Sequence, residues 1–418
     1  MPNKEEKNKE SRNRNSPDFE IIHARNLKEV EKAAKTSEFS KSSIHLERKQ
    51  GHKEKSFIVQ VWKGEKGSPD DPRRVFALEH VNEKNKIAKL KELLNKSGFF
   101  KNLKNKCKQD KKEKKNYKII IKPNIMIATQ KAIQNYTDPA LVDWLVDDLN
   151  KKGYKNVRIV ESENLLQRVS AKHTPQRVAK GVGYKHPVIN LTDEEWDTVK
   201  YKEGKVCVSK RLENADYIIN FAKGRNHPQR LMTGAIKNMF GSIPPKDKME
   251  RYHWKKSGIG MEDAVVAINN ITSPDFTIID MVKSVDYKDE HATDKPMEPS
   301  VVFKAGMMLA GQDPLSIDKT LSIKMGYKQN ESPVVGAMAD FRQDFDIRKE
   351  QNLISGTDLS RIENEGREWK KVPLATRLEW GPGIDIGLKT VLDVGVPEKY
   401  VKPYFEKIYM VLKNRKNI

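Results

Sequence analysis

Tyr117-Lys118-Ile119-Ile120-Ile121-Lys122-Pro123-Asn124 is a short β-branched run that stops at a proline, and Thr137-Asp138-Pro139-Ala140-Leu141-Val142 opens a helix shortly after it. The run is apolar without alternation, as a strand covered on both faces requires. Thr137 and Asp138 offer side-chain oxygens to the free N–H groups of a helix start. Proline is tolerated at the first helical position, where its lack of an N–H costs nothing. Leu141, Val142, Leu145, Val146 and Leu149 then line one face, and Gly153 ends the helix before a second strand, Val157-Arg158-Ile159-Val160. Strand, helix and strand in this order form a βαβ unit with parallel strands.

Further apolar runs follow at Val188-Ile189-Asn190-Leu191, Tyr217-Ile218-Ile219-Asn220-Phe221, Phe276-Thr277-Ile278-Ile279 and Met307-Met308-Leu309-Ala310. Helical patterns lie near 233–240, 261–270, 314–325 and 333–341. The alternation predicts an α/β fold: a largely parallel sheet with helices on both faces, spanning 56–327. Upstream, Ser56-Phe57-Ile58-Val59-Gln60-Val61-Trp62 reads as the first strand, and a helix near 82–94 leads into a lysine-rich loop. Residues 1–55 are polar and read as a disordered basic N-terminal tail with a short helix near 21–34. Residues 328–418 read as a C-terminal extension packed on the main domain.

With 418 residues, 37% of them hydrophobic, the chain has enough apolar material for one large domain or two modest ones. No apolar run approaches the roughly 20 residues of a membrane span, and the start of the chain carries no apolar signal, so the expected location is the cytoplasm. The two cysteines, Cys107 and Cys207, are too far apart for a CxxC site, which makes a thiolate zinc site or an iron–sulfur cluster unlikely chemistry for this chain. Of the net charge of +21, residues 1–117 hold +13, from 31 Lys and Arg against 18 Asp and Glu. The densest part is Lys101, Lys104, Lys106, Lys108, Lys111, Lys112, Lys114 and Lys115. Such a run can neutralise phosphates, but no aromatic interleaves it and Asp110 and Glu113 interrupt it, which favours a solvated loop.

Ligands of open α/β sheets bind beyond the carboxyl ends of the strands. The residues there are Lys122-Pro123-Asn124, Glu161-Ser162-Glu163-Asn164, Lys223-Gly224-Arg225-Asn226-His227, Asp280 and Gln312-Asp313-Pro314. The densest constellation runs from Lys223 through His227 and Thr233-Gly234-Ala235-Ile236-Lys237-Asn238-Met239-Phe240-Gly241. It combines lysines, a histidine able to act near neutral pH and a short helix bounded by glycines. It contains no Walker, GxGxxG, HExxH or GxSxG spacing that would name a reaction.

These residues resemble the domain-of-unknown-function 362 family from about Phe57 to Tyr327. The resemblance rests on Lys122-Pro123-Asn124, Thr137-Asp138-Pro139, Lys223 with His227, the block from Thr233 to Gly241, Arg251-Tyr252-His253, Ile278-Ile279-Asp280 and the run from Gly311 to Asp318. Many members carry a ferredoxin-like cluster module, which this chain lacks. The family is distantly similar to the catalytic domain of nickel-pincer lactate racemases, in which a lysine holds a pincer cofactor, one histidine binds nickel and others act as acid and base. That similarity implies His227 as an acid/base, Lys237 as the attachment lysine and His253 as a metal ligand. The racemases' second catalytic histidine has no counterpart here, so lactate racemisation itself is not expected, and Glu161 and Glu163 would act in a different reaction.

The leading expectation is therefore an enzyme-like protein that binds a small anionic substrate, or a metal-linked cofactor such as nickel-pincer, through Lys122, Asn124, Lys223, His227, Lys237 and His253. The alternatives are nucleic-acid or phosphate-surface binding through residues 1–117, and delivery of a cofactor or metal without turnover.

Overall fold

The computed structural model describes residues 19–36, 43–48, 55–65, 67–125, 136–163, 174–227, 229–245, 247, 248, 252, 258–287, 300–342 and 344–372. The strands are β1 Phe19–Ala24, β2 Ser43–Arg48, β3 Lys55–Trp62, β4 Val75–Leu78, β5 Ile119–Pro123, β6 Val157–Glu161, β7 Val188–Asn190, β8 Trp196–Tyr201, β9 Gly204–Ser209, β10 Tyr217–Lys223, β11 Arg225–His227, β12 Leu231–Thr233, β13 Phe276–Met281, β14 Ser284–Tyr287, β15 Ser300–Phe303, β16 Met307–Gly311, β17 Ile354–Ser355 and the hairpin of β18 Glu363–Asn364 with β19 Arg367–Glu368. The helices are α1 Leu27–Thr36, α2 Lys86–Lys96, α3 Phe99–Gln109, α4 Pro139–Lys151, α5 Pro175–Val182, α6 Lys210–Glu213, α7 Ala235–Met239, α8 Met261–Thr272, α9 Pro314–Lys324 and α10 Pro333–Phe341.

An eight-stranded sheet in the order β17-β4-β16-β13-β10-β5-β6-β7 forms the centre. The pairings β13–β10, β10–β5, β5–β6, β6–β7 and β17–β4 are parallel, whereas β16 runs antiparallel to both β13 and β4. Successive residues of each strand face opposite sides, so the sheet has two apolar layers. Ile119, Ile121, Tyr217, Ile219, Phe276 and Ile278 pack with α2, α3, α4 and α5 on one side. Ile120, Ile218 and Ile279 pack with α7, α8, α9 and α10 on the other. The α4 stripe read from the sequence is fully inside, each of its residues contributing roughly 1.5–3 kcal/mol by burial. Asp138 caps α4 by accepting from Ala140 N, with Pro139 in the first turn.

Two stretches differ from the sequence expectation. Within 1–55, β1, α1 and β2 are regular elements, and β1 and β2 flank β3 antiparallel in a small sheet. β1 reaches β3 from about forty positions away, whereas β2 forms a hairpin with it. Residues 1–18 lie outside the described residues. The lysine-rich run begins not as a loop but as α3, whose Phe99, Leu103 and Cys107 recur every fourth position as a buried stripe while Lys101, Lys104, Lys106 and Lys108 occupy the other positions. The C-terminal extension is described as far as 372; the rest lies outside.

Candidate functional site

Four parallel strands end side by side with charged residues: β13 near Asp280, β10 at Lys223, β5 at Lys122 and β6 at Glu161. In the register, Lys223 faces Asp280 and Asn220 faces Lys122. These charges form two buried ion pairs. Lys223 Nζ lies 2.8 Å from Asp280 Oδ2, and Lys122 Nζ lies 2.8 Å from Glu161 Oε2. The carboxylates are further held by main chain: Asp280 accepts from Asp138 N and Val282 N, and Glu161 from Ile125 N and Ser162 N. Burial outweighs Glu161 and keeps the Lys122 amine below the ordinary lysine range.

Between the pairs, Asn238 of α7 is a hub. Its amide donates to Lys122 O at 3.0 Å and to Asn220 Oδ1 at 2.8 Å, while its Oδ1 accepts from Asn124 Nδ2 at 3.2 Å. Asn220 in turn donates to Ala235 O. Asp318 of α9 accepts from Ala235 N and Ile236 N at 2.7 and 2.9 Å, and its carboxyl is pushed up to about 7 by burial against those two bonds. Asn269 holds Ile236 O. Residues on both sides of Lys237 are thus pinned to the sheet and to neighbouring helices. The chain then passes so close that a Cβ on Gly241 would stand 2.8 Å from Lys122 Nζ, which only glycine avoids.

Lys237 itself is half-buried and has no hydrogen bond or ion pair among the described residues. Burial pushes its amine down to about 7, and the positive charges of Arg225, Arg230, Lys248 and Lys122 act in the same direction. Lys248 is also pushed to about 7, first by burial, with Lys122 adding to it against the pull of Glu161 and Glu163. Its ammonium donates to three neutral oxygens: Ser162 Oγ, Glu163 O and Gly241 O, at 2.7, 3.0 and 3.2 Å. Ser162 is buried, and its hydroxyl lies against Gly241 O and Ile243 O, so this contact is a strut between loops and not an activated nucleophile. Arg230 is paired with Glu262 at 2.9 Å.

His227 accepts from Gln229 N and Arg230 N at its Nδ1, both at 3.2 Å. These bonds make the imidazole the cap of the turn between β11 and β12. Glu163 is bound at its side chain by Asn190 Nδ2 and at its N–H by Thr192 Oγ1. His253 lies outside the described residues. Among the described residues, no group of three or more His, Cys, Asp or Glu side chains is placed to hold a metal ion.

Lys122, Asn124, Glu161 and Lys223 thus lie at or just beyond the ends of β5, β6 and β10. The structure spends the two lysines on carboxylates, however, leaving them no free charge for a ligand. Asn238, Lys248 and Asp318 were missed. Asn238 and Asp318 stood in the quoted runs without a role, and Lys248 follows no motif that marks it.

Residues 119–322 match the family model described as Domain of unknown function (DUF362). The match covers just under half of the chain. Every residue of the two ion pairs and of the α7 network lies within the DUF362 match. The thylakoid-associated protein sll1697 of Synechocystis sp. (strain ATCC 27184 / PCC 6803 / Kazusa) is 23% identical over 212 residues, which cover 48% of this chain and 60% of that protein's length. The lactate racemase apoprotein from Thermoanaerobacterium thermosaccharolyticum is similar over 61% of this chain and 57% of that one, at 13% identity and a TM-score of 0.31. No helix among the described residues is long and apolar enough to cross a membrane.

Proposed function

We propose that the DUF362 domain binds a small anionic ligand at the carboxyl edge of its sheet, with Lys237 as the central cation and Lys248, Arg225 and Arg230 around it. One observation carries this reading: Lys237 is half-buried, has no hydrogen bond or ion pair among the described residues, and the leading charges that act on it, those of Arg225, Arg230, Lys248 and Lys122, are positive. Holding a buried amine among positive charges costs stability, and an anion offsets that cost on binding. His227 caps the turn that holds Arg230. Lys122, Lys223, Glu161 and Asn124 frame the site without contributing net charge.

A nickel-pincer group would need Lys237 for attachment and His253 as metal ligand. His253 lies outside the described residues, so the reading includes no metal step. The nucleic-acid alternative is less favoured, because Lys101, Lys106, Lys112 and Lys115 are already engaged by Asp70, Asp275, Asp216 and Glu113.

Isothermal titration with inorganic phosphate and with malonate at low ionic strength tests the proposal. Saturable binding of at least one probe, lost in Lys237→Ala, supports it. Failure of both to bind, or equal binding by Lys237→Ala, contradicts it.

A further inference from the structure

The DUF362 match ends at 322, yet residues beyond it reach the side chain that stands between Arg225 and His227. Asn226 is 3% exposed. Its Oδ1 accepts from Trp369 Nε1 at 3.1 Å and from Tyr327 OH at 3.0 Å, and its Nδ2 donates to Lys370 O at 2.8 Å. Tyr327 OH in turn accepts from Val372 N at 2.9 Å. All of these partners lie after the DUF362 match.

The same segment is tied down at a second point. Arg367 makes two bonds of 2.9 Å to the carboxylate of Asp286 on β14, and Lys370 N adds a third at 2.8 Å. The Trp369 ring meets Phe303 of β15 edge to face with centroids 5.0 Å apart, and the Arg367 guanidinium lies over that same phenylalanine. Trp369 N bonds Ile362 O, and Ile362 N bonds Lys324 O at the end of α9. Trp369 is 1% exposed, and the aspartate facing Arg367 is fully buried. The segment is thus packed as core, although its hairpin is short and its sequence is polar.

We propose that residues 362–372 form a strap that completes the site, with Asn226 as the positioning residue through which it sets the β11–β12 hairpin and so the placing of Arg225, His227 and Arg230. β11 is only three residues long and pairs with a three-residue partner across a tight turn. Such a ribbon is marginal by itself and takes its geometry from what it packs against. Its middle residue uses its side chain entirely on the strap and on Tyr327. Loosening the strap therefore frees the hairpin before it disturbs the central sheet.

The effect on ligand binding rests on the anion reading above; the effect on the hairpin does not. The test uses the full chain with Trp369→Phe, which keeps an aromatic ring against Phe303 but removes the donor to Asn226, and separately Arg367→Gln. Hydrogen exchange followed by mass spectrometry is read over 224–233 and over the central strands 119–123 and 217–223, and inorganic phosphate is titrated into each protein. The expected result is faster exchange confined to 224–233 in both variants, with phosphate affinity weakened several-fold. Unchanged exchange in 224–233, or a rise spread uniformly over the chain, overturns the strap. If the unaltered protein takes up no phosphate, the anion reading fails alone and the exchange pattern still decides the strap.

Discussion

Lys122 Nζ and Glu161 Oε2 stand 2.8 Å apart at the ends of adjacent parallel strands, both buried, with Gly241 pressed against them. Taking both charges out of water offsets most of their attraction, so the pair adds little net stability, but removing one partner strands the other. Lys122→Met is expected to cost about 3–5 kcal/mol on that ground. Adding Glu161→Gln should recover most of the loss. Denaturant unfolding of the two single variants and the double variant checks this, and additive losses would refute the coupling.

Asn238 both donates and accepts, and an aspartate there could only accept. Asn238→Asp would face Lys122 O and Asn220 Oδ1 with a carboxylate, so it should be less stable than Asn238→Ala by roughly 1–3 kcal/mol. Thermal or denaturant unfolding of the two proteins gives the comparison. Equal stabilities would mean that the hub is not buried as described.

Much of this edge was legible before any coordinates. Lys122, Glu161, Lys223 and Asp280 each follow an apolar run, and strand ends are where α/β sheets place function. Their pairing was not legible, because it depends on the strand order β13-β10-β5-β6, which the chain order does not contain. That Lys237 has no hydrogen bond or ion pair among the described residues was hidden for the same reason: it depends on how the neighbouring elements are arranged. The strap was missed because Arg367 and Trp369 reach partners more than eighty and a hundred and forty positions away. The buried stripe of α3 was readable, but its lysines drew attention away from Phe99, Leu103 and Cys107.

The Lys237 amine gives stability a pH dependence whose sign is fixed. Its folded value of about 7 lies below the unfolded value of about 10.4, so between these limits the unfolded chain binds more protons and stability rises with pH. Below about 7 the full penalty is present. Lys237→Met removes it, and because the side chain is partly reached by water the gain at pH 6 should be on the order of 1–2 kcal/mol. The advantage should shrink toward zero by pH 10. Chemical unfolding of both proteins across this range is the check, and a constant difference would show that the amine is not perturbed.

His227 is engaged as a turn cap, so His227→Ala should cost about 1 kcal/mol through two unpaired amides. Its effect on phosphate affinity should be smaller than that of Lys237→Ala. A larger effect would promote the imidazole from support to principal ligand.

The central claim is that Lys237 is a cation waiting for an anion. Nuclear magnetic resonance titration of the lysine side chains in protein labelled with carbon-13 lysine, with the Lys237 signal assigned by its absence in Lys237→Met, reads this directly. The account predicts a midpoint near 7 that moves upward when inorganic phosphate is added. A midpoint in the ordinary lysine range, unmoved by phosphate, would contradict it.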